Sequence, residues 1–248
     1  MVDADIDFHP SSLSKFPMKT IGLIGGMSWE SSVEYYRLIN LAVREKLGGL
    51  HSARSVMVSV DFSEVEEMQR ENRWGEATQT MIAAARQVER AGADFVLICT
   101  NTMHRMADEV QQAIRIPLLH IADATGQVVC SQGIRRIGLL GTRYTMEENF
   151  YRGRLLERFG LRVLVPDQAA RETVHRVIYE ELCQGIIMED SRREYRNILS
   201  QLVSAGAEGV ILGCTEIGLL VHAEDSSVPL FDTTGIHAQA AVDYALLN

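Results

Sequence analysis

Two stretches of the chain run a cysteine off the end of an apolar segment into a polar turn. Residues 92–104 read GADFVLICTNTMH, and residues 206–216 read GAEGVILGCTE. Cys99-Thr100 and Cys214-Thr215 thus occupy equivalent places. A thiolate takes a proton, and a thiol returns one. Two such groups on opposite faces of a carbon invert its configuration, if one starts as thiolate and the other as thiol. After Cys99 come Thr100, Asn101 and Thr102, all helix-capping types, then the helical pattern MHRMADEVQQAI. A helix N-terminus there would lower the thiol pKa and seat a substrate carboxylate. Thr215 and Glu216 repeat the layout with an acid, which suits an ammonium group.

The elements that must position these thiols alternate. Short β-branched runs at 19–25, 55–60, 94–98, 117–121, 136–141, 162–166, 209–213 and 229–232 read as buried strands. Amphipathic stretches such as 76–92 and 191–206 read as helices between them, the first closed by Gly92 as a C-terminal cap. This alternation predicts an α/β protein with parallel sheets covered on both faces. The pattern also repeats. IGLIG at 21 matches IGLLG at 137, AGAD at 91 matches AGAE at 205, and IPLLH at 116 matches VPLFD at 228. With the two Cys-Thr pairs, these landmarks keep their order at offsets of 112 to 116 residues. The expectation is two similar Rossmann-like halves related by a pseudo-twofold axis. Ligands of open parallel sheets bind beyond the carboxyl ends of the strands. Both thiols would then face one cleft between the halves.

Other motifs fill in the cleft. The turn GLIGGMSWE at 22–30 fits neither common nucleotide-binding glycine pattern and is read as placing Met27 and Ser28 over the cleft. GTRYTMEENF at 141–150 is its counterpart, with Thr145 and Glu148 as a capping box and Thr142 as a ligand contact. Cys130 and Cys183 are taken as structural, Trp29 and Trp74 as packing residues, and His104 as decoration or support for Cys99. The seven histidines show no metal-binding spacing, so no metal is expected. A net charge of −9 argues against nucleic acid as a partner. No apolar run is long enough for a membrane span, and residues 1–17, read as a loose and disordered extension, lack the features of a secretory signal. Four widely spaced cysteines suggest free thiols in a reducing cytoplasm.

IGLIGGMSW, CTNTMH, LLGTRYTM, GCTEIGLL and PLFDTTGIHA together resemble the aspartate/glutamate racemase superfamily, over essentially all of residues 18–248. The likeness is strongest to bacterial racemases of broad or L-aspartate/L-glutamate specificity. It implies a small amino-acid substrate, no pyridoxal phosphate or other cofactor, and a homodimer. It implies one domain from residues 18–118 plus 228–248, the last segment packing back on the first, and a second from 119–227. Cys99 and Cys214 would be the acid/base pair. Met27, Gln69, Thr100, Asn101, Thr102, Thr215 and Glu216 would contact substrate. Aspartate-specific relatives carry a lysine in the stretch matching IYEELCQG, where this chain has Cys183; Arg143 or Arg176 could replace that cation. Rival readings are a hydantoin racemase, a maleate isomerase, or a small-carboxylate binding protein without chemistry.

Overall fold

The computed structural model describes residues 18–247, so the expected N-terminal extension lies outside the described residues. The apolar runs form two parallel sheets. In the first, β1 (Ile21–Gly25) lies between β2 (Ser55–Ser59) and β3 (Phe95–Ile98). Ile21 stands opposite Ser55 on one side and Phe95 on the other. In the second, β4 (Arg136–Gly141) lies between β5 (Arg162–Leu164) and β6 (Val210–Gly213), and β7 (Leu230–Asp232) adds beyond β6. The central strands β1 and β4 are the two IGL(I/L)G copies, as the repeat requires.

Helices join the strands. The first half holds α1 (Trp29–Leu47), α2 (Phe62–Arg70), α3 (Trp74–Arg90) and α4 (Ala107–Ala113). Next come α5 (Ile121–Ser131), α6 (Arg143–Glu147), α7 (Asn149–Phe159), α8 (Gln168–Glu180), α9 (Glu189–Ser204), α10 (Ile217–Leu220) and α11 (Thr233–Leu246). Helix α3 buries Ala77, Met81, Ala84, Ala85 and Val88, one apolar stripe at helical spacing. It comes close to the sheet because a Cβ at Gly22 would sit 2.3 Å from a Val88 methyl carbon. At Gly26, φ is +92° and a Cβ would lie 2.1 Å from the Val60 carbonyl oxygen. Only glycine fits that turn into α1. Among the described residues, no helix is long and apolar enough to cross a membrane.

Two expected strands differ from their reading. The run at 117–121 makes a single bridge, Leu118 to Val96, because His120 already caps α5 by accepting from the Ala122 N–H at 3.1 Å. The run at 229–232, assigned with the first half, pairs with Val210–Leu212 of the second sheet. It is the helix after it, α11, that returns to pack on α1 in the first half. The first half does the converse. It holds the Leu118 bridge and sends α5 across to pack on α7. The two crossing helices, α5 and α11, then pack on each other.

Three buried histidines sit at this seam. His237 Nε2 donates to the Leu119 carbonyl at 2.9 Å, leaving Nδ1 to accept from the Tyr35 hydroxyl at 2.8 Å. His104 Nδ1 donates to the Thr100 carbonyl at 2.8 Å, and its Nε2 accepts from the Ile121 N–H at 3.2 Å. The His104 ring lies 4.6 Å from that of His120 and 5.8 Å from that of His237. His104 is therefore a tie between the Cys99 turn and α5 rather than decoration. Burial pushes His104 well below the usual range; burial first, then the positive charge of Arg154, pushes His120 down to about 2; and burial pushes His237 down to about 4. All three are neutral in the fold and become charged on unfolding below about pH 6.5. The unfolded chain then binds more protons, so stability falls with pH by about 1.4 kcal/mol per histidine per pH unit. Urea unfolding should show its midpoint dropping between pH 7 and pH 5. A midpoint that stays flat across that window would contradict neutral burial.

Candidate active site

The turns that follow β3 and β6 reach across to the opposite half. After β6, Glu216 is buried and its carboxylate collects four donors. Oε1 accepts from Ser28 at 2.7 Å and from Ser31 at 2.9 Å, both at the start of α1. Oε2 accepts from the Cys214 thiol at 2.9 Å and from Thr215 at 2.6 Å. Ser31 also touches Thr215. Ser28 is placed for this because it caps α1, its hydroxyl oxygen accepting from the Ser31 N–H at 3.3 Å. The strand-end glycine turn read from sequence thus puts Ser28 against the second half.

After β3, Asn101 Nδ2 donates to Thr233 Oγ1 at 3.0 Å, at the start of α11. The Asn101 Oδ1 is buried and has no partner among the described residues. Thr102 and Thr142 hydroxyls meet at 3.0 Å. Thr142 also caps α6, accepting from the Thr145 N–H at 3.3 Å. The capping box expected from Thr145 and Glu148 does not form, since Glu148 precedes α7 and pairs with Arg105 instead. Gln69 Oε1 accepts from the Tyr179 hydroxyl at 2.9 Å, and Gln69 Nε2 points at the Met103 sulfur 3.2 Å away. Met27 is buried in the same cluster as Met103 and Val65. Thr100 uses its carbonyl on His104. Cys99 is buried against Tyr35 and Ala238, its N–H on the Ile24 carbonyl. Its thiol is bonded to none of the other candidate residues.

The expected helix N-termini beside the thiols are not there. A 3-10 turn, Thr102–Met106, follows Asn101, which makes no side-chain cap. The four-residue α10 begins after Glu216, likewise without a side-chain cap. Such ends carry little dipole, and burial wins. It pushes the Cys99 thiol up, and it pushes Cys214 up together with the negative charge of Glu216. Cys183 has a setting after all. Burial, Glu216 and Glu30 all raise its thiol, and Cys183 in turn raises Cys214. Cys130 sits apart, its thiol 3.7 Å from the Phe159 carbonyl. Trp29 is 65% exposed and packs little, whereas Trp74 lies edge-on to Tyr144 under the Arg105 guanidinium.

Arg143 and Arg176 lie outside this inner group. They line an outer cavity of about 320 Å³ with Gln69, Tyr144, His175 and Tyr179. Arg143 is exposed, donates to the Tyr144 hydroxyl at 3.1 Å and lies over that ring. Arg176 pairs with Glu181 at 3.3 Å and Glu194 at 3.5 Å. Among the described residues, no cluster of three or more histidine, cysteine, aspartate or glutamate side chains is arranged to hold a metal ion. Sequence reading missed Glu30, Ser31, Tyr144, Tyr179 and Thr233. Ser31 and Glu30 had one readable signal, their place in the first turn after the Ser28 cap.

With this geometry in place, comparison with known proteins is decisive. The Asp/Glu/Hydantoin racemase family model matches residues 24–241. The chain belongs to that family. A candidate Asp/Glu racemase structure from Yersinia pestis is 57% identical, with a TM-score of 0.87, covering 93% of this chain and 100% of that one. An aspartate racemase homologue from Pyrococcus horikoshii is 36% identical, with a TM-score of 0.79, covering 92% and 99%. The broad specificity amino-acid racemase RacX of Bacillus subtilis is 25% identical over 167 residues, 67% of this chain and 71% of RacX. The Ser28–Glu216 bond is one of the places where the two halves of the chain meet. Ser28→Ala removes a donor to a buried carboxylate and a helix cap, and should cost about 2–3 kcal/mol in urea unfolding. Ser131→Ala, an exposed hydroxyl bonded to the Val128 carbonyl, should stay within about 0.5 kcal/mol.

Proposed function

We propose that this protein racemises amino acids by two-base proton transfer between the thiols of Cys99 and Cys214. The observation that carries the reading is the Cys214 thiol donating to Glu216 Oε2 at 2.9 Å, at the carboxyl end of β6. A carboxylate so placed is the group that takes the thiol proton. At rest both thiols are neutral, since burial disfavours the thiolate. The bound substrate brings an ammonium, and positive charge beside the sulfur favours its ionised form. Glu216 accepts the Cys214 proton, and the thiolate then lifts the α-proton from one face of the substrate. Cys99, still protonated, delivers its proton to the other face. The pass leaves Cys99 as thiolate and both Cys214 and Glu216 protonated; the opposite enantiomer runs the same steps in reverse from that state, Cys99 taking the α-proton and Cys214 returning one.

The α-carbanion needs its neighbouring carboxylate held by fixed donors. Thr100, Thr102 and Thr142 supply hydroxyls and the strand-end turns supply N–H groups, the Thr215 hydroxyl being committed to Glu216. The unpartnered Asn101 Oδ1 is an acceptor for the ammonium, its Nδ2 already committed to Thr233. Met27 and Gln69 wall the site. The reading needs only side chains of this one chain and an amino acid, and places the protein among enzymes working on small molecules.

The test is α-deuterium uptake in heavy water, followed by NMR with a panel of amino acids. Positioned acid/base groups contribute about 10²–10⁴-fold. Cys99→Ser and Cys214→Ser should each slow uptake by at least about a hundredfold for one enantiomer. Wild-type uptake rates in either variant would end the two-thiol scheme. A covalent substrate adduct on either sulfur, seen by mass spectrometry, would show attack on carbon instead.

A further inference from the structure

We propose that Glu30 receives the end of the substrate side chain, and that the amino acids favoured carry a cationic side chain, an ammonium or guanidinium. The inference rests on the racemase reading above and names the substrate class of the same site. Glu30 stands between Ser28 and Ser31, whose hydroxyls hold Glu216 at 2.7 and 2.9 Å. Its Oε2 is enclosed and has no hydrogen-bond partner among the described residues. An enclosed carboxylate oxygen without a donor is costly, and a ligand that donates there removes the cost. Glu30 and Glu216 both act on the Cys183 thiol. That is the position at which the resemblance implies a lysine in aspartate-specific relatives. A neutral thiol there cancels neither carboxylate.

Among the described residues, no lysine or arginine hydrogen-bonds or ion-pairs with Ser28, Glu30, Ser31, Cys214, Thr215 or Glu216. Arg143 is turned onto Tyr144, and Arg176 is paired with Glu181 and Glu194, both at the outer cavity. A side chain ending in a carboxylate would meet two like charges here. One ending in a cation would meet two opposite charges in a partly desolvated place, where attraction is strongest.

Deuterium uptake by wild type and Glu30→Gln is measured with L-lysine, L-arginine, L-glutamate and L-norleucine, the last a neutral match to lysine. Wild type should favour lysine or arginine over glutamate. Glu30→Gln should lower the ratio of kcat/KM for lysine to that for norleucine by at least about tenfold, through KM. Glu30→Asp, which keeps the charge, should restore part of it. Better turnover of glutamate than lysine by wild type would overturn the inference. So would equal losses on lysine and norleucine, the mark of a structural role. A thermal-shift titration with lysine separates the two readings. Stabilisation lost in Glu30→Gln, with no uptake from any amino acid, would keep this site and defeat the racemase. No stabilisation and no uptake would defeat both.

Discussion

A carboxylate that accepts from both halves of a chain limits where those halves can go. Glu216 takes hydrogen bonds from Ser28 and Ser31 on one side, and from Cys214 and Thr215 on the other. An ionised carboxylate is acceptor-only, and removing such a group from water is tolerable only when its lone pairs are filled. Both halves must therefore present their hydroxyls together. The same bonds orient the Cys214 thiol, so the group that closes the seam also holds the thiol proposed to react. Thr102 on Thr142, Asn101 on Thr233 and Gln69 on Tyr179 add three further ties across the same boundary. They are neutral, and hydrogen bonds to charged groups are the stronger kind.

The crossing of α5 and α11 explains how a duplicated chain makes one body. Two separate α/β units would each need their own covering helix. Here each half sends its last helix to the other, so neither sheet is fully covered alone. The histidines at the crossing have few alternatives. His104 and His237 each use one ring nitrogen as donor and the other as acceptor, which fixes the tautomer of both. A protonated ring would turn an acceptor nitrogen into a donor facing an N–H or O–H. This is a second reason, beyond burial, that the seam requires them neutral.

Much of this was legible in the residues. The central strands follow from the glycine-punctuated IGL repeats, and both Cys-Thr pairs fall beyond strand ends, as the alternation of elements demands. Ser28 was read as lying over the cleft and Thr142 as a contact. What could not be read depends on partners far along the chain. That β7 joins the second sheet is decided by its pairing with β6, and three residues carry no mark of which neighbour they take. The thiols read as acidified because capping residues follow them, yet capping types do not oblige a helix to start. The backbone turned 3-10 after Cys99, and burial then decided the sign. Glu30 went unread, because the enclosure of its oxygen is a tertiary fact.

Charge inside the site links mechanism and selectivity. A site with Glu216 against one thiol resists forming a thiolate, because a second anion beside the first is unfavourable. The resting protein thus keeps its nucleophilic sulfurs neutral, which protects them from adventitious chemistry. In the proposed mechanism, the cation that the substrate brings changes that balance. Every amino acid carries an α-ammonium; one with a cationic side chain brings a second positive charge toward Glu30 and Cys183. Substrate recognition and thiol activation then draw on the same electrostatic field. Replacing a lysine by a thiol in such a pocket removes a positive charge that would have steadied the thiolate. In the proposed site, the substrate is the component that restores the charge lost in this exchange.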